Sequence, residues 1–237
     1  MIFINPAQET FGGPLLSGYV PVSVPTALGT ISAYLDQHDI SSIIIDDEMD
    51  KITQSVLYEV VEGQEKPYIF GITGLTAHAV RAYEIAQMIK RTFSDSIVII
   101  GGNHATNATT KLLQFPFVDY IARGEAEISF TEFINCISEK KKVSVKGIYS
   151  KMDLPENKKG QTIPKWIIGD GTFPAQNSDH LLDRCISIEN LDDLPNPDWE
   201  ILDMETYATE QGRAAYIGVA ADKRKASLFT SRGCPYR

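Results

Sequence analysis

Cysteine is scarce in this chain: Cys136, Cys185 and Cys234 are the three in 237 residues, far apart and forming no C-x-x-C pair. That excludes a disulfide-dense secreted scaffold and suits a reducing cytoplasm. Long apolar runs are missing too; none approaches the roughly 18 residues a bilayer span needs, so no membrane span is expected. The opening MIFINP has no basic stretch leading into an apolar one, so no secretory leader is expected and a cytoplasmic location is. Basic residues are outnumbered, 22 Lys and Arg against 31 Asp and Glu, for a formal net charge of -9. This argues against nucleic acid, whose phosphates demand a basic face. Two nucleotide signatures are also absent. No G-x-G-x-x-G follows the first apolar run, and no G-x-x-x-x-G-K-[ST] occurs anywhere.

What is present is an ordinary globular composition, 43% hydrophobic and 22% charged, enough for a core of normal size. The first 150 residues carry short continuous apolar runs: IFI from Ile2, III from Ile43, YIFGI from Tyr68, IVII from Ile97 and VDYI from Val118. Runs of this length suit strands buried on both faces, as in a parallel sheet. Between them, helical spacing joins Leu28, Ile31 and Leu35, then Ala82, Ala86, Ile89 and Phe93, then Phe130, Phe133, Ile134 and Ile137. Strand alternating with helix predicts a doubly wound α/β domain with a five-stranded parallel sheet over residues 1–150. Six of the twelve prolines then fall in 155–237, in phrases such as LDDLPNPD from Leu191. Residues 151–224 therefore read as a Pro-rich linker, and 225–237 as one more strand, ASLFT from Ala226, running into SRGCPYR.

Ligands of open α/β sheets bind outside the carboxyl ends of the strands, near the point where strand order reverses. The loops after the strands are therefore the informative ones: NPAQ from Asn5, TGLTA from Thr73, GGNHAT from Gly101 and RGEAE from Arg123. Glycine in three of them implies close approach of something large to the backbone. A phospho-receiver domain would need an aspartate ending the third strand, where Thr73 stands. NPAQ is a poor phosphate loop for a flavodoxin-type FMN site.

IVIIGGNHAT, VDYIARGEAE, the linker LPNPD and the terminal TSRGCPYR together resemble the cobalamin-binding domain that precedes a radical S-adenosylmethionine (SAM) domain. The resemblance covers nearly all of the chain. It implies that Gly74, Leu75 and Thr76 line the corrin face, with Gly101, Gly102 and His104 on the next loop. Arg123, Gly124 and Glu125 would close the side of the nucleotide tail. The family's usual G-E-G-E is here Gly124, Glu125, Ala126 and Glu127, and the D-x-H-x-x-G signature of methionine-synthase-type domains is absent. The resemblance thus implies cobalamin bound base-off, without a protein imidazole on cobalt. Its second part is a partial (β/α) barrel whose C-x-x-x-C-x-x-C loop carries a [4Fe–4S] cluster that chelates SAM, at the C-terminal end of the first strand. Cys234 matches the first cysteine of that loop, and the second would fall just past Arg237. The chain as it stands is therefore expected to bind cobalamin without holding the cluster. In the intact protein, the resemblance implies a SAM-derived radical, often methyl transfer from cobalamin, and a small-molecule substrate that the sequence does not identify.

Other readings of the same residues stay open at this stage. His104 could touch the corrin or make an ordinary structural hydrogen bond, and His78 reads as structural or exposed. Gly101 and Gly102 could form only a tight turn. Arg123 with Glu125 and Glu127 could be a surface ion pair of small value. Asp46, Asp47 and Glu48 read as a solvated strand end rather than a metal site. The whole could instead be a stand-alone corrinoid or other small-molecule sensing module, or a doubly wound domain without a cofactor.

Overall fold

A computed structural model of the protein describes residues 1–8, 24–154, 188–207 and 231–232. Cys185, Cys234, the strand expected at 226–230 and residues 9–23 of the first loop lie outside the described residues. Six strands form one sheet: β1 (Ile2–Asn5), β2 (Ile43–Asp46), β3 (Ile69–Ile72), β4 (Ile97–Ile100), β5 (Tyr120–Ala122) and β6 (Ile148–Ser150). Their order is β2-β1-β3-β4-β5-β6. The first five strands are mutually parallel, and β6 adds an antiparallel edge through Ile121 opposite Tyr149. The expected count of five is thus corrected to six. Around β6 only Ile148 and Tyr149 are apolar, between Gly147 and Ser150, so no run registers as a strand, and a hydrogen-bonded edge is what makes it one. The fifth strand also starts two residues late. The Asp119 carboxylate takes the Val98 amide at 2.8 Å, and regular pairing begins at Tyr120.

Among the described residues, five helices cover the sheet: α1 (Thr26–Asp36), α2 (Gln54–Val60), α3 (Ala79–Thr92), α4 (Gly102–Leu112) and α5 (Glu127–Ser138). Side chains alternate across each strand, so Ile2 and Ile4 join one core while Phe3 joins the other. The first core packs Ile72, Val98 and Ile100 against Leu57 of α2, Tyr83 and Ile89 of α3 and Leu112 of α4. The second packs Phe3 and Ile99 against Leu28 and Leu35 of α1 and Phe130 and Phe133 of α5. Fully burying such a side chain contributes roughly 1.5–3 kcal/mol, which is why short apolar strands suffice to hold a two-faced sheet. Strand order reverses between β1, which hands the chain to β2 on one side, and β3, which hands it to β4 on the other.

The GGNHAT stretch is not a loop, as the sequence suggested, but the start of α4. Ala105, Thr109 and Leu112 recur at helical spacing and are buried. Its many hydroxyl and amide side chains bond back to the preceding turn: Thr106 Oγ1 to Gly102 O, Asn107 Nδ2 to Asn103 O and Thr109 Oγ1 to Ala105 O. A polar helix face of this kind hides the apolar period from a sequence reading.

The 188–207 stretch lies on the domain. Asp198 N donates to Gly29 O at 3.1 Å, and Leu202 is buried against Gly29, where an added Cβ would meet Leu202 Cδ1 at 2.6 Å. Tyr207, also buried, donates to the Asp46 carboxylate.

A backbone shelf at the strand ends

The carboxyl ends of β3 and β4 form a surface made largely of main chain. Thr73 N donates to Ile4 O and Gly101 N to Ile72 O, so pairing continues past the strands and brings both turns to one level. Gly102 has φ +88°, and a Cβ there would lie 2.8 Å from Gly74 O and 3.0 Å from Gly74 N. Only glycine fits, because the two turns touch backbone to backbone. Gly101 differs: its nearest neighbour would be Ala122 Cβ at 3.6 Å, an ordinary contact. His104 N closes the pair by donating to Gly74 O at 3.3 Å.

Leu75 and Thr76 are exposed on this shelf, Leu75 by 52%. His104 is buried beneath it, with Nε2 on the Tyr83 hydroxyl and Nδ1 3.2 Å from Thr76 Oγ1. Burial, helped by the charge of Lys111, pulls the His104 pKa down, so the ring is neutral near pH 7. Burial also pushes the Tyr83 phenol up and keeps it protonated. The phenol then donates to Nε2, and the Nδ1–H is set to donate to Thr76. His104 thus stands under the shelf as support for Thr76. His78 is half-buried and presses its Cβ toward Gly74, and its Nδ1 is buried without a hydrogen-bond partner. Burial lowers its pKa as well.

Arg123 and Gly124 join the shelf through α4. Arg123 Nε donates to Thr106 O at 3.1 Å, and Gly124 N donates to Thr106 Oγ1 at 3.2 Å. Arg123 is 4% exposed and its Nη1 is buried without a partner. A surface ion pair of Arg123 with the acids of its own turn is therefore not what forms. Glu125 instead accepts from Ile188 N at 2.5 Å, and Glu127 takes Arg232 Nη1 at 2.6 Å. Among the expected site residues, Gly74, Leu75, Thr76, Gly101, Gly102 and His104 come together, Arg123 and Gly124 adjoin them, and Glu125 is engaged with the later chain.

The acids after β2 also depart from expectation. Asp46 and Asp47 are buried rather than solvated. Asp46 accepts from Asn5 Nδ2, Glu48 N and the Tyr207 hydroxyl, and burial, only partly offset by these donors, pushes its pKa up. Burial pushes Asp47 up too. The Arg81 guanidinium at 2.7 Å, with the Ile52 and Ala7 amides, outweighs that and holds its carboxyl below the usual range. Glu48 accepts the Gln8 amide. These carboxylates tie down the start of the first loop, and no group of three metal-ligating side chains occurs among the described residues. Nothing in the sequence near Asp46 and Asp47 announces partners that lie 34 positions from Asp47 and 161 from Asp46.

Residues 20–134 match the B12 binding domain family. An uncharacterized methyltransferase of Pyrococcus horikoshii is 27% identical over 202 residues, 85% of this chain and 36% of that protein. The anaerobic magnesium-protoporphyrin IX monomethyl ester cyclase of Rubrivivax gelatinosus is 23% identical over 239 residues, covering 100% of this chain and 37% of that protein. The chain thus spans little more than a third of the length of these curated relatives. Among solved structures, the cobalamin-dependent S-adenosylmethionine radical enzyme OxsB, with aqua-cobalamin and S-adenosylmethionine bound, shares the fold with a TM-score of 0.61 at 16% identity. That match covers 90% of this chain and 25% of the OxsB chain.

Proposed function

We propose that the chain, whose residues 20–134 match the B12 binding domain family, holds the corrinoid on the shelf at the ends of β3 and β4, as one part of a B12-dependent radical SAM enzyme. The observation that carries this placement is the backbone contact of Gly74 and Gly102. It clears side chains from a strip beside the strand-order reversal and leaves Leu75 and Thr76 facing out. A broad macrocycle with an apolar face and an amide rim is suited by such a strip: main chain and an isobutyl group for the face, a hydroxyl for the rim. The unpartnered, buried Nη1 of Arg123 beside Thr106 gives the shelf an unused donor for an anionic or carbonyl group of the nucleotide tail.

A bound corrinoid supplies a cobalt that carries a methyl group or exchanges single electrons, chemistry no side chain offers. The protein's residues bind and orient it. Thr76 is held by the neutral His104, which Tyr83 fixes in turn, so a hydroxyl on the shelf keeps one direction. With both His104 nitrogens so engaged, and no histidine in the first loop, the cobalt is expected to lack a protein imidazole. Among the described residues, His78 is the one ring on the shelf that could reverse this. Nitrogen splitting in the EPR spectrum of bound cob(II)alamin that vanishes in His78→Ala would overturn it. Cys234, in its SRGCPYR setting, is proposed as the first thiolate of the [4Fe–4S] site of the intact enzyme, which would use SAM to generate a radical and most often transfer a methyl group.

The direct test is a titration of the chain with hydroxocobalamin followed by visible absorption. Saturable binding near one equivalent is expected, and no binding at micromolar concentration would remove the central claim.

A further inference from the structure

We propose that the acidic turn after β5 is the seat for the chain leading into Cys234, with Glu127 and Arg232 as its positioning residues. Glu127 lies in the first turn of α5, where the helix dipole favours an anion, yet it is 3% exposed. A carboxylate so buried is costly without a cation and hydrogen bonds. Arg232 reaches it across 105 positions of sequence and donates from Nη1 at 2.6 Å. Two residues earlier in the same turn, Glu125 takes the amide of Ile188. Both acids of the turn thus hold later chain, while Arg123 and Gly124 hold Thr106 of α4. One short turn therefore ties the shelf helix on one side to the carboxyl-terminal stretch on the other.

Arg232 is an exposed residue whose side chain is the covered part, 26% accessible against 4% for the Glu127 side chain it meets. It borders a cleft of about 350 Å³ between Thr26 and Thr30 of α1 and the LDDLPNP stretch, with Leu191 and Pro197 on its wall. That stretch is itself fixed on α1 through Gly29, whose missing side chain admits Leu202. The guanidinium enters a seat that is already assembled, and its buried carboxylate partner gives it one position. Arg232 precedes Cys234 by two residues. Given the proposed function, on which this step alone rests, the pair sets where the cluster-bearing loop starts relative to the corrinoid shelf.

The test compares the chain with Glu127→Gln, Arg232→Gln, the double variant and Arg232→Lys. Two measurements report on the seat: hydrogen exchange across 230–234, and the alkylation rate of Cys234 read by mass spectrometry with Cys136 as internal reference. Each single Gln variant is expected to raise both rates roughly tenfold, and the double variant no further, because either change removes the same pair. Arg232→Lys is expected to restore part of the protection by keeping the charge without the planar fork. Single variants that behave as wild type, or effects that multiply in the double variant, would overturn the pairing. Arg232→Gln leaves every residue of the α/β domain in place, so it decides the matter if Glu127→Gln does not fold. Hydroxocobalamin titration runs alongside. Loosening of 230–234 in a chain that binds no corrinoid sinks the proposed function and keeps the seat, and corrinoid binding with no loosening does the reverse.

Discussion

The strand ends of this sheet are finished in two different ways. Along the middle, after β3 and β4, charged side chains are absent and main chain meets main chain at Gly74 and Gly102. On the flanks, after β2 and β5, carboxylates crowd together, and most are turned inward onto donors from distant sequence: Arg81, Ala7, Gln8 and Tyr207 on one side, Ile188 and Arg232 on the other. The difference separates two tasks. The flanks hold the segments that pass over the edge, and the middle is left smooth, which is where the proposed function seats the corrinoid. A flank should therefore lose stability when altered, whereas the middle should lose binding.

The sharpest test of the flank is Arg81→Met, which leaves Asp47 buried without its cation. Breaking a buried pair in this way should cost about 4 kcal/mol at pH 7, read from urea denaturation. Asp47 has a folded pKa below its ordinary 3.8, so its stabilisation is full above that value and fades as pH falls through the folded value. The gap between wild type and variant should accordingly shrink below pH 3.8. A gap independent of pH would show that the guanidinium acts by packing alone.

Gly102→Ala tests whether the smoothness of the middle is a structural requirement as well. A left-handed residue costs roughly 1–2 kcal/mol, and the forced overlap with Gly74 adds roughly 1–3, for about 3 in all. Gly101→Ala, with its nearest neighbour at 3.6 Å, should cost under about 1 kcal/mol. Equal effects at the two positions would remove the distinction between them.

Tyr207→Phe should cost about 2 kcal/mol at neutral pH, the usual value of a hydrogen bond to a carboxylate. Here the sign runs opposite to Asp47. Burial raises the folded pKa of Asp46, so its ionised form is disfavoured in the fold and stability from this group increases as pH falls through that value. The loss in Tyr207→Phe should be complete above the folded pKa of Asp46 and diminish below it.

These contrasts also mark what the amino-acid order disclosed. Strands β1 to β4 were legible because their side chains are apolar on both faces, and the glycine turns were legible because glycine at a strand end has few other uses. Helix α4 was not, since Thr106, Asn107 and Thr109 look like loop residues until their back-bonds to the preceding turn are seen. Asp46 and Asp47 looked solvated because three acids in a row usually are. Their burial depends on Arg81, Asn5 and Tyr207, brought near only by the fold. The pairing of Glu127 with Arg232 is of the same kind. Local pattern carries the elements, and the ion pairs that join distant segments have no local signature.

Leu75→Glu separates the middle from the flanks most cleanly, although its effect on folding is the smallest. The side chain is 52% exposed and belongs to neither core cluster, so stability should move by no more than about 0.5 kcal/mol. A carboxylate on the shelf, however, would have to be desolvated beneath an apolar macrocycle or displace it, and hydroxocobalamin affinity should fall at least about tenfold, or 1.4 kcal/mol. Leu75→Met, which keeps an apolar surface of similar volume, should retain most of it. If Leu75→Glu binds as tightly as wild type while Tyr207→Phe or Arg81→Met binds worse, the ligand sits on a flank rather than on the shelf. The division of labour along the strand ends would then be the reverse of the one drawn here.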